Sequence, residues 1–278
     1  MVEKEMKKET YKVGIIGAGF VGGAILQGLQ TVADIKAYDK YKPQDSFEDT
    51  VDSSEFIFLC LPTNMGKGGS VNLSILDEVI EMLANRIKKR DKKIIIIKST
   101  ILPGTTDNYQ KKYPHLTLIH SMESLTARFA RLDWINANRV VIGGKNKKAC
   151  KRVAELHEAR INAPIIITDA IVSELAKYTC NCFFATKIMY FNQIYELCQK
   201  LGVDYEDIKN ITLLDGRVAR SHMDIPGPDG KRFFGNACLP KDCSGLIKFA
   251  KEIEIPQTVL EEVNRVNKKE RPEWYTNY

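Results

Sequence analysis

A cysteine stands in a stretch whose neighbours favour chemistry at its sulfur. Cys238 follows a loop that contains Gly235 and precedes Pro240-Lys241-Asp242, which could open a helix. A helix N-terminus and a nearby ammonium both favour the thiolate over the thiol, and the thiolate is the nucleophilic form. Cys243 lies inside the predicted helix and lacks that setting. These local features alone leave open a second interpretation, in which Cys238 is a small buried hydrophobic residue.

A glycine motif near the N-terminus has the features of a dinucleotide site. The sequence Gly17-Ala18-Gly19-Phe20-Val21-Gly22 follows an apolar run at Lys12–Ile16 that predicts a strand, and a helical pattern comes after it. Gly17 would permit a tight turn, Gly19 would let the backbone approach a pyrophosphate, and Gly22 would allow close packing of helix on strand. The amides at the N-terminus of the helix would then face the phosphates.

An acidic residue follows the second predicted strand and indicates the cofactor. Asp39 comes directly after Ile35–Tyr38, where a carboxylate accepts a hydrogen bond from the ribose 2′-hydroxyl. A carboxylate there would repel a 2′-phosphate, so NAD is favoured over NADP, although the adjacent Lys40 weakens that preference. The predicted cofactor-binding residues are Gly17, Gly19, Phe20, Val21, Gly22, Asp39, Lys40, Pro62, Thr63, Ser99 and Thr100.

Apolar runs and helical patterns alternate after this motif. Near-continuous apolar strands separated by helices are typical of a doubly wound, mostly parallel sheet. Such strands are predicted at Phe56–Leu61, Lys93–Lys98, Leu116–His120, Arg139–Gly143 and Pro164–Thr168. The fold class is therefore α/β, a doubly wound Rossmann-type parallel sheet followed by an all-helical domain. We expect a polar tail at 1–10, the NAD-binding Rossmann domain at 11–169, the helical domain with the cysteine loop at 170–267 and a C-terminal tail at 268–278.

From Ala170 to Leu201 the helical pattern is unbroken. At 1.5 Å per residue this predicts a helix of roughly 45 Å. Its apolar residues recur on more than one face, so we expect it to be buried in an interface between subunits. Lys177 and Asn181 would be neighbours on one face, but a lysine on such a helix can also be a surface residue whose stem packs on apolar side chains. Further helices are predicted at Tyr205–Leu213, Val218–His222, from Asp242 to about Ile253, and at Thr258–Asn267.

Composition argues against several classes of function. The 278 residues are 44% hydrophobic and 27% charged, and no apolar run approaches the 18 residues or so that a membrane helix needs. The net charge of +6 lies in lysine clusters without interleaved aromatic residues, which fits a solvated surface or an anionic small substrate better than nucleic acid. Seven irregularly spaced cysteines and a charged N-terminus without an apolar stretch predict a cytoplasmic protein. We expect no membrane contact and no metal.

Taken together, these segments resemble the UDP-glucose/GDP-mannose dehydrogenase family over nearly the whole chain. The glycine fingerprint is shared by many dehydrogenases, whereas the order of Lys-Ser-Thr, the Lys/Asn helix and Cys-Leu-Pro-Lys-Asp is much more specific. The segments that carry the resemblance are Gly17–Gly22 with Asp39, Cys60-Leu61-Pro62-Thr63, Lys98-Ser99-Thr100, Leu102-Pro103-Gly104-Thr105-Thr106, Glu174-Leu175-Ala176-Lys177 with Asn181, Asp215-Gly216-Arg217, and Cys238-Leu239-Pro240-Lys241-Asp242.

The resemblance implies oxidation of the primary alcohol of a nucleotide sugar to the uronic acid, with two NAD used per turnover. A water held by Asp242 and Lys177 would take the hydroxyl proton. Cys238 would then attack the aldehyde, and the thiohemiacetal would be oxidised to a thioester. Asn181 would help to hold the oxyanion of the thiohemiacetal.

The resemblance also assigns the hydrolysis of the thioester and the contacts with substrate. Glu123, next to Thr100, would activate the water that hydrolyses the thioester. Arg217 would reach the sugar nucleotide from the neighbouring subunit, which implies a homodimer through the helix at 170–201. The predicted substrate contacts are Lys177, Asn181, Arg217, Phe234 and Gly235.

Three features depart from the family pattern. Ser121-Met122-Glu123-Ser124-Leu125 replaces Asn-Pro-Glu-Phe-Leu, and Gly235-Asn236 replaces a Gly-Gly pair, where a residue with a Cβ restricts the backbone. Family members also continue into a further α/β domain that holds the nucleotide half of the substrate, and the sequence ends at Tyr278 without one. We therefore expect a partner chain that supplies this domain, a smaller or different substrate, or reduced or lost activity.

Two other functions stay open at this point. One is a β-hydroxyacid-type NAD dehydrogenase of a smaller substrate, which also uses a lysine with an asparagine four residues on but needs no cysteine. The other is a non-catalytic NAD-binding subunit, because function rests on the site rather than on the fold.

Overall fold

The structure is a computed structural model that describes residues 10–42, 44–123, 125 and 129–275. The strands found in these residues are β1 (Tyr11–Ile16), β2 (Ala33–Tyr38), β3 (Phe56–Leu59), β4 (Ile94–Ile97), β5 (Leu118–His120), β6 (Val140–Gly143) and β7 (Ile165–Thr168). The α-helices are α1 (Phe20–Leu29), α2 (Phe47–Asp52), α3 (Ser74–Arg86), α4 (Thr105–Lys112), α5 (Ala130–Ile135), α6 (Lys147–Glu158), α7 (Ala170–Leu201), α8 (Tyr205–Leu213), α9 (Cys238–Glu252) and α10 (Thr258–Glu270).

The strands form one sheet in the order β2-β1-β3-β4-β5-β6-β7. Adjacent strands run parallel except β5 and β6, which are antiparallel. The predicted doubly wound, mostly parallel sheet is therefore confirmed. From β1 the chain goes to β2 on one side and then to β3 on the other, so the crevice in which such sheets bind ligands lies beyond the end of β1.

Two apolar cores cover the two faces of the sheet. In β3, Phe56 and Phe58 face the core that includes α1 and α6, whereas Ile57 and Leu59 face the core that includes α3. All four residues are buried, as expected for a parallel strand covered on both sides. These layers belong to the first of two compact units, which comprises Met1–Thr63 and Leu73–Lys177.

The second compact unit comprises Asn64–Asn72 and Tyr178–Tyr278. One of its cores packs Cys182 of α7 against Cys243 of α9 and Leu260 of α10, and another packs Phe191 of α7 against Tyr205 of α8. The domain boundary after residue 169 stays a prediction; that position is the start of α7.

Several predicted helices agree with the structure, and two need correction. Helix α7 has the predicted bounds. The prediction of a helix at Val218–His222 is wrong: the Val218 amide closes a turn on the Asp215 carbonyl at 2.9 Å, and His222 has a left-handed φ of 66°, which a right-handed helix does not accommodate. Helix α9 begins at Cys238 rather than Asp242.

Pro240 explains the earlier start of α9, because proline is tolerated in the first turn, where its missing N–H has no helical partner. Helices α2 and α5 are short, at six residues each, and their sequences did not predict them. None of the helices in the described ranges combines the length and apolarity that crossing a membrane requires.

Candidate functional site

The glycine turn after β1 has the geometry that a dinucleotide site needs. Gly17 has a φ of 92°, and a Cβ there would lie 2.5 Å from the carbonyl oxygen of Cys60. A Cβ on Gly22 would lie 2.0 Å from the carbonyl oxygen of Gly17. Around Gly19, by contrast, no atom lies within 4 Å of where a Cβ would be, and no side chain caps the N-terminus of α1 there. An anionic group can therefore approach the first amides of α1.

Asp39 ties this turn to the end of β2. One carboxylate oxygen accepts a hydrogen bond from the Ala18 amide at 3.0 Å, and the other accepts from the amides of Tyr41 at 2.9 Å and Lys42 at 3.3 Å. A carboxylate has lone pairs left over to accept from a ribose hydroxyl. The contact of Asp39 with the ribose stays a prediction, as does that of Lys40, which is exposed.

The segments that follow β3 and β4 are joined by side-chain hydrogen bonds. The Ser99 hydroxyl donates to the Leu61 carbonyl at 2.7 Å and accepts from the Leu61 amide at 3.0 Å. The Thr63 hydroxyl donates to the Thr100 carbonyl at 2.8 Å. Pro62, between these two anchors, is exposed. The two loops at this edge of the sheet are therefore fixed relative to each other.

Glu123 and Lys177 form a buried ion pair in the first unit. The Lys177 Nζ lies 2.6 Å from Glu123 Oε1, and both side chains are largely buried. The Leu125 amide donates to Glu123 Oε2 at 2.7 Å. Burial by itself disfavours the ionised form of Glu123, but the Lys177 ammonium and these hydrogen bonds outweigh it and lower the pKa of Glu123. Glu123 is therefore a carboxylate at neutral pH.

Lys98 is a candidate site residue to which the sequence analysis assigned no function. It is 6% exposed, and its Nζ donates to Ser121 Oγ at 3.1 Å and to the Met122 carbonyl at 3.2 Å. Burial lowers the pKa of Lys98 to about 8, an effect that the neighbouring Cys60 and Glu123 only partly oppose. A lysine directly after a fully apolar strand was the signal that could have indicated a buried cation.

Cys238 is the first residue of α9 and is exposed. Asp242 follows one turn later and is fully buried. Asp242 Oδ2 accepts from Asn181 Nδ2 at 2.5 Å, and Asp242 Oδ1 pairs with Lys241 Nζ at 2.5 Å. Cys238 and Asp242 are four residues apart and therefore neighbours on α9. The structure thus places an exposed cysteine next to a buried carboxylate that is held by two side-chain partners. Lys241 is a partner of Asp242 that the sequence reasoning missed.

The loop before Cys238 contains the predicted substrate contacts Phe234 and Gly235. Phe234 is 1% exposed, and its amide and carbonyl both bond to Asn267. Asn236 has a left-handed φ of 67°. This is a conformation that glycine adopts freely and that asparagine tolerates better than most residues, so the replacement of the family's glycine is accommodated here.

Arg217 is 89% exposed at its side chain, and its Nη2 lies 2.6 Å from Asp215 Oδ2 in the same turn. Of the predicted catalytic residues, the structure joins Glu123 to Lys177 and Asn181 to Asp242. Lys177 and Asn181 are four residues apart on α7. The roles of these residues, and that of Thr100, stay predictions. Among the described residues, no cluster of three or more His, Cys, Asp or Glu side chains is arranged to hold a metal.

Two segments of the chain match domains of one known protein family. Residues 26–161 match the NAD binding domain of the UDP-glucose/GDP-mannose dehydrogenase family, and residues 172–269 match its central domain. The first match begins after the glycine turn and ends in the loop after α6, and the second covers most of α7 and all of α8 to α9.

The relatives are dehydrogenases of nucleotide sugars. UDP-glucose 6-dehydrogenase of Rickettsia bellii is 30% identical over 241 residues, which are 84% of this chain and 54% of that protein. GDP-mannose 6-dehydrogenase of Azotobacter vinelandii is 28% identical over 231 residues, 79% of this chain and 52% of that protein. The chain thus spans about half the length of these relatives.

A solved structure shares the fold. The UDP-glucose dehydrogenase of the archaeon Pyrobaculum islandicum superposes with a TM-score of 0.84 at 22% identity, over 97% of this chain and 70% of that one. Because the first unit matches an NAD binding domain and has the open glycine turn, its cofactor is NAD. The two domain matches, in the family's order and over most of the chain, show that this chain belongs to the UDP-glucose/GDP-mannose dehydrogenase family.

Proposed function

We propose that the chain catalyses the NAD-dependent oxidation of a nucleotide-sugar primary alcohol to the uronic acid, with Cys238 as the nucleophile. The observation that carries this proposal is the exposed thiol of Cys238 at the start of α9, one turn from the buried Asp242–Asn181 pair. The relatives named UDP-glucose 6-dehydrogenase and GDP-mannose 6-dehydrogenase support the substrate class.

The first oxidation removes a proton and a hydride from the alcohol. NAD would supply the hydride acceptor, one molecule for each oxidation with NADH exchanged for NAD in between, so one acid molecule corresponds to two NADH. The hydroxyl proton passes to a water that Asp242 holds, and the positive charge of Lys177 stabilises the alkoxide. Asp242 is suited to this role because its two oxygens are already fixed by Asn181 and Lys241.

The second oxidation proceeds on the enzyme. The Cys238 sulfur forms a bond to the aldehyde carbon, and the electron pair of the C=O bond moves to oxygen. Asn181 stabilises this oxyanion through its amide, which has two N–H bonds and uses one of them on Asp242. Loss of the second hydride restores the C=O bond and leaves a thioester on Cys238.

Hydrolysis releases the acid. The Glu123 carboxylate takes a proton from water as the water oxygen attacks the thioester carbon, and the C–S bond breaks to return the thiolate of Cys238. Lys177 holds Glu123 in its ionised form, the form in which it can accept this proton. Thr100 is assigned to the same step.

The substrate contacts and the assembly belong to the same proposal. Arg217 contacts the sugar nucleotide of the neighbouring subunit, with Phe234 and Gly235 in the loop before the cysteine. Helix α7 supports a homodimer, because apolar residues recur at helical spacing along an exposed face of it. These are Val172, Leu175, Phe183, Tyr190, Leu197 and Leu201, each at least 45% exposed.

A panel of UDP- and GDP-sugars, uronic-acid precursors and small hydroxyacids tests the function through NADH absorbance and product analysis. We expect two NADH and one acid per substrate molecule with a nucleotide sugar. Cys238→Ala should abolish acid formation, whereas Cys243→Ala, which changes a buried cysteine on the same helix, should retain it.

Three results would contradict the proposal. One NADH per substrate, or NADH formation that is indifferent to Cys238→Ala, would favour a β-hydroxyacid-type dehydrogenase. NAD binding without NADH formation from any substrate would favour a non-catalytic NAD-binding subunit.

A further inference from the structure

The loop that leads into α9 has an unusual backbone. Phe233 and Asn236 both have left-handed φ values, of 62° and 67°. This region is sterically disfavoured for residues with a Cβ, and most of all for bulky ones such as phenylalanine. Surrounding groups must therefore hold the loop in this conformation. Because Cys238 is the first residue of α9, the same groups determine how its thiol is presented.

Asn267 of α10 binds both backbone groups of one residue in this loop. It is fully buried; its Oδ1 accepts from the Phe234 amide at 3.0 Å, and its Nδ2 donates to the Phe234 carbonyl at 2.9 Å. The same Nδ2 donates to the Tyr275 hydroxyl at 3.2 Å, and that hydroxyl donates to Asn264 Oδ1 at 2.8 Å. The side-chain amide of Asn267 is thus oriented by its own neighbours and acts on Phe234 as an opposing strand would.

Arg271 holds the residue at the start of the loop. It is 4% exposed, and its Nη1 donates to the Arg232 carbonyl at 3.0 Å. Its charge is balanced by Asp229 at 2.7 Å and by Glu273 at 2.8 Å. A buried arginine with two carboxylate partners has a fixed geometry, since its planar fork binds in few orientations.

Asn192 of α7 adds the remaining contact. It is 1% exposed, and its Oδ1 accepts from the Phe233 amide at 3.1 Å. Three buried polar side chains therefore bind the backbone of three consecutive residues, 232–234.

The glycine that follows is required by the same arrangement. A Cβ on Gly235 would lie 2.4 Å from Arg271 Nη2 and 2.7 Å from Trp274 Nε1. The φ of Gly235 is not in the left-handed region, so its backbone alone does not demand glycine. Gly235 is needed because Arg271 and Trp274 occupy the space beside it.

We propose that Asn267 and Arg271 are positioning residues for Cys238, which hold loop 232–237 so that the first turn of α9 stays formed and presents the thiol at its N-terminal amides. This inference rests on the proposed function only in taking Cys238 as the nucleophile. Cys238 is already exposed, so release of the loop would change the access to its sulfur little. Release would instead remove the helix-end amides that favour the thiolate.

Iodoacetamide alkylation of Cys238 in the full chain, followed at pH 7 by peptide mass spectrometry, tests this proposal. We expect alkylation to slow about threefold in Asn267→Ala, the size of effect that a helix N-terminus has on an exposed anion. Gly235→Ala should act in the same direction by displacing the Arg271 guanidinium, although it alters none of the three polar residues themselves. The slowing should be larger at pH 6.5 than at pH 8.5, because an ordinary cysteine thiol is already partly ionised at the higher pH.

Val263→Ala is the matched control, because it removes a buried side chain from α10 that makes none of these hydrogen bonds to the loop. If Asn267→Ala and Gly235→Ala slow alkylation no more than Val263→Ala does, the positioning role is refuted. Amide hydrogen exchange separates this from failure of the proposed function. Exchange at Phe233 and Phe234 should speed up in Asn267→Ala and not in Val263→Ala, even if Cys238 proves to be an ordinary thiol.

Discussion

The buried ammonium of Lys98 should make the stability of the first unit depend on pH in a recognisable way. Burial lowers the pKa of Lys98 from 10.5 to about 8. At 1.36 kcal/mol per pKa unit, the charged form is about 3 kcal/mol less stable in the folded protein than in the unfolded chain. This cost is fully present at pH 7, because Lys98 is charged there in both states.

The sign follows from proton binding. Between pH 8 and pH 10.5 the folded protein has released the proton and the unfolded chain still holds it, so the unfolded chain binds more protons and stability rises with pH. Integration over this titration gives a gain of about 1 kcal/mol between pH 7 and pH 9. Lys98→Met removes the titrating group and should remove this gain.

Urea unfolding of the wild type and of Lys98→Met at pH 7, 8 and 9 measures the effect, and the quantity to compare is the difference between their free energies of unfolding. At pH 7 Lys98→Met gains stability because it removes a buried charge. It also loses about 1–3 kcal/mol, because the Ser121 hydroxyl and the Met122 carbonyl lose their hydrogen-bond donor, and this loss offsets the gain. Between pH 7 and pH 9 the free energy of unfolding of the wild type should rise by about 1 kcal/mol relative to that of Lys98→Met. Lys148→Met, which removes an exposed lysine of α6, controls for net charge. Parallel pH dependences of wild type and Lys98→Met would refute the reasoning.

Other substitutions have equally definite outcomes. Gly22→Ala places a Cβ 2.0 Å from the Gly17 carbonyl oxygen and should weaken NAD binding at least tenfold in a fluorescence titration. Gly23→Ala is the control: its Cβ would have an ordinary contact at 3.8 Å, so this variant should bind NAD normally. Phe183→Glu puts a charge on a residue that is 60% exposed on the apolar face of α7, and sedimentation should show a monomer; an unchanged sedimentation coefficient contradicts that interface. Glu123→Gln should form two NADH per enzyme and then stop, with the thioester visible by intact mass, and steady turnover would exclude Glu123 as the base of hydrolysis.

The sheet was predictable because its strands are buried on both faces. Four consecutive isoleucines at Ile94–Ile97 have no polar side to present to water, so they indicate a covered strand without ambiguity. The start of α9 was predicted at Asp242, four residues late, whereas Pro240 lies within the first turn of the helix, where a proline is tolerated.

The partners of the site residues were less predictable than the residues themselves. Cys238 and Asp242 stand out locally, but Asn267, which binds the loop before the cysteine, is 33 residues away from Phe234 in sequence. An asparagine near the end of an amphipathic helix carries no local sign that its amide faces another backbone. Contacts of this kind depend on how helices pack, which spacing along one helix does not determine.

The double attachment of Asp39 has a consequence for changing the nucleotide that this domain accepts. A redesign that aims to admit a 2′-phosphate would begin by removing the acid at the end of the second strand, since its charge repels the phosphate. Here the same carboxylate accepts from the Ala18 amide inside the glycine turn and from Tyr41 beyond β2. Truncation to alanine would therefore loosen the phosphate cradle while it enlarges the ribose pocket. Asp39→Asn removes the charge but keeps a side-chain oxygen that can accept a hydrogen bond from the backbone. This substitution can therefore change the preference between NAD and NADP without loosening the glycine turn that binds both.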